Sequence, residues 1–120
     1  MRNRTVLVFV SAVLALAVAS PAFADRRDDA KAQVEFGWDV AARGLWNEAT
    51  YRFERAVELD PTYAAAWNNL GIAYEQAGKF DLARNAYEKA LQLEPNNNFI
   101  RQNYDLFREI YDRQNRRRGR

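Results

Sequence analysis

Apolar residues recur along this chain at helical spacing, in segments that break at regular intervals. Trp67, Leu70, Gly71 and Tyr74 fall at i, i+3, i+4 and i+7, one face of a helix. Ala83, Tyr87, Ala90 and Leu91 make a matching stripe on a second helix. Gly78-Lys79 breaks the chain between them, and Asp81 sets a negative charge near the next helix start, where the dipole favours it. Asp60-Pro61 and Glu94-Pro95 end helices, because the residue before proline is steered out of the α region. From Asn98 to about Asn115 the pattern reads as one helix with a stripe of Ile100, Tyr104, Phe107 and Tyr111. A second stripe on it, Phe99, Asn103, Leu106 and Ile110, is more apolar than a solubilising end helix needs.

The segments repeat. Shifted by 34 residues, the chain superimposes Ala30 on Ala64, Ala32 on Ala66, Gly37 on Gly71, Gly44 on Gly78 and Ala49 on Ala83. Glu54 meets Glu88, Ala56 meets Ala90, Leu59 meets Leu93 and Pro61 meets Pro95. Such a period marks an array in which each unit buries its apolar face against its neighbours.

The N-terminus follows another pattern. Arg2 and Arg4 precede an apolar run from Val6 to Ala19, interrupted only by Ser11, and Ala22-Phe23-Ala24 offers the small-x-small pattern of signal peptidase. The run is short for a spanning helix, which needs roughly 20 apolar residues. Residues 1–24 are therefore expected to be a signal peptide cleaved after Ala24, of bacterial type. That sends the protein to a periplasm or outside the cell. The alternative is an uncleaved N-terminus anchored in the inner membrane.

Composition narrows the chemistry. The 120 residues include no cysteine and no histidine, which removes thiolate chemistry, the commonest general base and the commonest zinc ligands. Glu35, Asp39, Glu48 and Glu54 supply carboxylates only at ordinary helix positions, without a glycine loop or nucleophile motif. The expectation is no enzyme, no metal and no cofactor. Beyond residue 24 acidic and basic groups balance at 16 each, but Arg113, Arg116, Arg117, Arg118 and Arg120 crowd the end. Arg116, Arg117, Arg118 and Arg120 read as a solvated tail or as a weak contact for an anionic membrane surface. An exported protein is not expected to meet nucleic acid.

Trp67, Leu70, Gly71, Tyr74, Ala83, Tyr87, Ala90 and Pro95 together resemble the tetratricopeptide repeat (TPR). The first unit is similar through Phe36, Gly37, Ala49, Phe53, Ala56 and Pro61, and departs at Gln33 and Val40. The resemblance implies an all-α, right-handed α-solenoid of two helix hairpins plus a capping helix, preceded by the signal peptide. Its parts are a short linker at 25–29, repeats at 30–63 and 64–97, a capping helix at 98–115 and a tail at 116–120. It also implies a protein-protein interaction module, an adaptor or scaffold of the bacterial envelope that binds a peptide or protein on its concave surface. By position, Val34, Trp38, Asn68, Asn69, Ile72, Asn103 and Leu106 would contact the ligand. Asn69 sits where the family often holds a peptide backbone, whereas the basic clamp of chaperone-tail binders is absent: Val34, Trp38, Phe99 and Asn103 stand in its place. The alternative is a self-associating structural subunit, a homo-oligomer with Phe99 and Ile110 at its interface.

Overall fold

The computed structural model describes residues 21–119, all of whose regular structure is helical. Five helices follow one another: α1 (Pro21–Ala41), α2 (Trp46–Leu59), α3 (Ala64–Gln76), α4 (Phe80–Leu93) and α5 (Asn98–Arg118). The starts of α2 and α4 lie 34 residues apart, as do those of α3 and α5. Among the described residues no helix is long and apolar enough to cross a membrane.

Helices α1 and α2 form one antiparallel hairpin and α3 and α4 a second, with α5 laid against both members of the second. The hairpin turns share one device. Gly44 and Gly78 adopt positive φ (77° and 72°), a conformation that costs a glycine little. Each lets the next amide reach back five residues, Leu45 to Val40 at 3.1 Å and Lys79 to Tyr74 at 2.9 Å, so the last carbonyls of α1 and α3 are satisfied. Two other glycines set how closely the helices approach. A Cβ on Gly37 would stand 2.5 Å from Phe53 Cε1, and one on Gly71 would stand 3.0 Å from the Tyr87 ring. Both aromatic rings therefore fill the space a side chain would need, and both are almost completely buried.

The core runs the length of the array. Ala30, Ala49, Phe53, Ala56, Leu70 and Ala73 fill its first part, with Trp67 and Tyr74 packed on it. Ala83, Tyr87 and Phe107 fill the far end, with Phe80, Tyr104 and Tyr111 around them. Phe107 lies 5.4 Å from Tyr87 between ring centroids and 5.7 Å from Tyr111, distances at which aromatic pairs attract. The stripe Ile100–Tyr104–Phe107–Tyr111 thus caps the second hairpin, as its spacing implies.

Two boundaries differ from expectation. Residues 25–29 are not a linker: α1 runs unbroken through them. Arg27 explains why this part of the helix is held. It pairs with Asp60, donates to Thr62 Oγ1 at 3.2 Å and lies 4.6 Å above the Tyr63 ring, so α1 is tied to the α2–α3 turn. At the other end, α5 continues to Arg118, past the expected limit of 115. Arg116, Arg117 and Arg118 form its last turn, where positive charge suits the helix dipole. Arg120 and residues 1–20, which hold most of the expected signal peptide, lie outside the described residues.

Candidate functional site

Helices α1, α3 and α5 open the successive units and lie side by side, so residues 34 apart form rows across one face. The row Val34, Asn68, Gln102 turns inward over its first two members. Val34 is buried in the first core cluster, and Asn68 is only 2% exposed. Both had been expected to touch a ligand. The helix register instead points them between neighbouring helices, and Asn68 Oδ1 accepts a hydrogen bond from Asn103 Nδ2 at 3.1 Å. Asn103 is thereby committed to holding α5 against α3. Asn69, at 8% exposed, is also buried rather than standing out in water.

The row Trp38, Ile72, Leu106 stays open. Trp38 is about two-fifths exposed and meets Phe53 edge-on at 5.6 Å, while Leu106 is more than half exposed. Ile72 between them is half-buried against the Tyr87–Phe107 cluster. Phe99 and Ile110 extend the apolar surface along α5, at 66% and 42% exposed. The site is therefore a row of apolar steps across three helices, widened on α5.

Four carboxylates are engaged by tyrosine hydroxyls. Glu75 accepts from the Tyr87 hydroxyl at 2.9 Å, and Glu54 accepts from Tyr74 at 2.9 Å. Tyr104 donates to Glu88 at 2.9 Å and Tyr111 to Asp81 at 3.0 Å. Burial, followed by the bond to Glu54 and its charge, pushes the Tyr74 hydroxyl up to about 12. Burial and Glu75 push Tyr87 up as well. These ties were not foreseen. The pairing of Glu54 with Glu88 in the 34-residue register was the available signal, since each carboxylate takes a phenol from the following helix.

Among the described residues no helix packs on the outer side of the first unit. Phe36 occupies the register of Leu70, yet it is 43% exposed where Leu70 is 3%. The Arg52 guanidinium lies 4.2 Å above the Phe36 ring and is held there by Glu48 at 2.9 Å. A cation over an aromatic face makes that exposure tolerable.

Comparison with known proteins agrees with this architecture. Residues 64–97 match the family profile described as "Tetratricopeptide repeat", and residues 40–78 match one described as "TPR repeat". The chain is 36% identical over 85 residues to "Tetratricopeptide repeat domain-containing protein PYG7, chloroplastic" of Arabidopsis thaliana, covering 71% of this chain and 28% of that protein. It is also 36% identical over 67 residues to "Protein O-mannosyl-transferase TMTC1" of Homo sapiens, covering 56% of this chain and 8% of that protein. It thus spans about a quarter of the first relative and under a tenth of the second. Among solved structures, the "Arabidopsis OM64 TPR domain" superimposes with a TM-score of 0.68 at 20% identity, with 73% of each chain covered. The Sgt2 TPR domain from Aspergillus fumigatus superimposes with a TM-score of 0.65 at 19% identity, covering 81% of this chain and 83% of that one.

Proposed function

This chain belongs to the tetratricopeptide repeat family, and from that premise we propose that it is a non-enzymatic adaptor whose α1–α3–α5 face binds a segment of another protein. Repeats of this family generally mediate protein-protein interaction. The observation that carries the reading is the row Trp38–Ile72–Leu106. Three large apolar side chains repeat at the same register, and the outer two remain open to solvent. Such a row supplies side-chain selectivity. The amide of Asn69, on the same helix as Ile72, offers both a donor and an acceptor, which suits a peptide backbone of any sequence.

The leader supports an exported location. Arg2, Arg4, the apolar run Val6–Ala19 and the Ala22-x-Ala24 pattern fit a signal peptide cleaved after Ala24, which would place the adaptor in a bacterial envelope or outside the cell.

The test is site-specific photo-crosslinking in the native host. A photo-reactive residue replaces Ile72 on the proposed face, or Leu82, which is 47% exposed on α4. A discrete partner adduct from position 72 and none from position 82 is expected. Equal capture at both positions would move the binding surface away from this face.

A further inference from the structure

Helix α5 carries more than the capping stripe. Phe99, Asn103, Leu106, Ile110, Arg113 and Arg117 follow one another at intervals of four, three, four, three and four residues. That is the spacing by which one helix meets another along a shared seam. The seam spans roughly 27 Å at 1.5 Å per residue. It is distinct from Ile100–Tyr104–Phe107–Tyr111, which is spent on the second hairpin. The Asn103–Asn68 bond fixes the seam beside α3, facing the open side of the array.

The seam has two halves. Phe99, Leu106 and Ile110 are large, apolar and exposed. Beyond them Arg113 and Arg117 border a shallow recess with Ile110 and Gln114. Arg113 is linked to Glu109 only at 3.8 Å, with both side chains about two-thirds exposed. Among the described residues Arg116, Arg117 and Arg118 make no ion pair. An apolar strip that ends in exposed arginines, one loosely tied to a carboxylate and the other in no ion pair, selects a complementary surface, one apolar first and acidic next.

We propose that the α5 seam docks an acidic amphipathic helix of a partner protein, with apolar side chains on Phe99, Leu106 and Ile110 and carboxylates on Arg113 and Arg117. The proposal rests on the reading of the α1–α3–α5 face as a protein-binding surface and names the ligand chemistry of its α5 side. A second α5 does not supply the complement. Laid parallel, it sets Arg113 and Arg117 against themselves; laid antiparallel, it meets them with Phe99 and Asn103. A flat lipid surface fits less well, because the seam lies beside α3 instead of standing alone.

The test uses the purified protein and a synthetic three-heptad helix with Leu at the seam positions of its first half and Glu at those of its second. A control helix carries Lys in place of Glu. Fluorescence anisotropy should show saturable binding of the acidic helix and little of the control. Arg113→Glu with Arg117→Glu should weaken the acidic helix at least about fivefold and let the control bind, since both sites are exposed pairs of modest individual strength. Ile110→Asp should weaken the acidic helix without unfolding the chain. Equal binding of both helices, or an acidic affinity untouched by the charge reversal, overturns the proposal. Binding to phosphatidylglycerol vesicles without binding to the acidic helix assigns the seam to a lipid surface and also overturns it. So does a concentration-dependent dimer in sedimentation that Ile110→Asp abolishes while the helix fails to bind. Partner adducts at position 72 alongside a failed helix titration would leave the broader reading of the face standing and remove this one.

Discussion

Asn103 on α5 donates a hydrogen bond to Asn68 on α3 at 3.1 Å, with Asn68 almost fully buried. Removing Asn103 leaves the buried Asn68 amide unpaired, and removing Asn68 leaves the half-buried Asn103 amide without its partner, at a cost of about 1–3 kcal/mol. Asn68→Ala and Asn103→Ala are each expected to lower the denaturation midpoint by such an amount, and the double variant to cost less than their sum. Additive losses in a urea-denaturation cycle would mean the bond contributes nothing.

Gly37 and Gly71 occupy the same place in successive units, but their substitution should differ. Alanine at 37 brings Cβ within 2.5 Å of Phe53, whereas alanine at 71 meets the Tyr87 ring at 3.0 Å. Overpacking costs about 1–3 kcal/mol, so Gly37→Ala is expected near the top of that range and Gly71→Ala below it. Equilibrium urea unfolding of the two variants checks the order.

Phe107 is 1% exposed and joins Phe80, Tyr87, Tyr104 and Tyr111 in one aromatic cluster. Phe107→Ala should cost about 3–5 kcal/mol. Ending the chain after Pro95 should do more, because it bares Tyr87 and the apolar side of α4, and loss of cooperative melting is the expected result. A shortened chain that keeps full helicity and a sharp melt by circular dichroism would contradict the capping role of α5.

Asp60 and Tyr74 contribute to the pH dependence from opposite sides. Burial pushes the Asp60 carboxyl up, but hydrogen bonds from Arg27 and Thr62 outweigh it and hold the group below its ordinary 3.8. The folded chain thus favours the charged form, so this contribution is complete above pH 3.8 and is lost as pH falls through the lower folded value. Tyr74 runs the other way. Its folded value of about 12 exceeds the ordinary 10.0, so its contribution is complete below pH 10.0 and fades as pH rises towards 12. Melting temperature against pH should be flatter on the acid side for Asp60→Asn and on the alkaline side for Tyr74→Phe.

Cleavage after Ala24 would remove only the first turn of α1, whose residues 22–24 are exposed, and would spare Arg27 with its tie to Asp60. Intact-mass measurement of exported protein is expected to give a chain starting at Asp25, and that chain should melt within a degree or two of one retaining residues 22–24. A mass that includes residues 1–24 would mean the apolar run stays attached as an anchor.

The repeat period and the spacing of small and aromatic residues were enough to determine helix number, hairpin pairing and the capping stripe of α5. Those features follow from local periodicity: Gly44 and Gly78 stop helices whatever surrounds them, and Tyr87 packs wherever Gly71 leaves room. The role of the asparagines lay beyond that reach. Asn68 and Asn69 are neighbours of identical chemistry, both buried, and only the way α5 packs on α3 decides that Asn68 is the one that meets Asn103. The length of α1 is likewise a tertiary outcome. Nothing local at 25–29 demands a helix; Arg27 holds one there because Asp60, distant in sequence, closes beside it once the hairpin has formed. Val34 teaches the same point from the other side, since a position that faces a groove in one helix crossing faces the core in another.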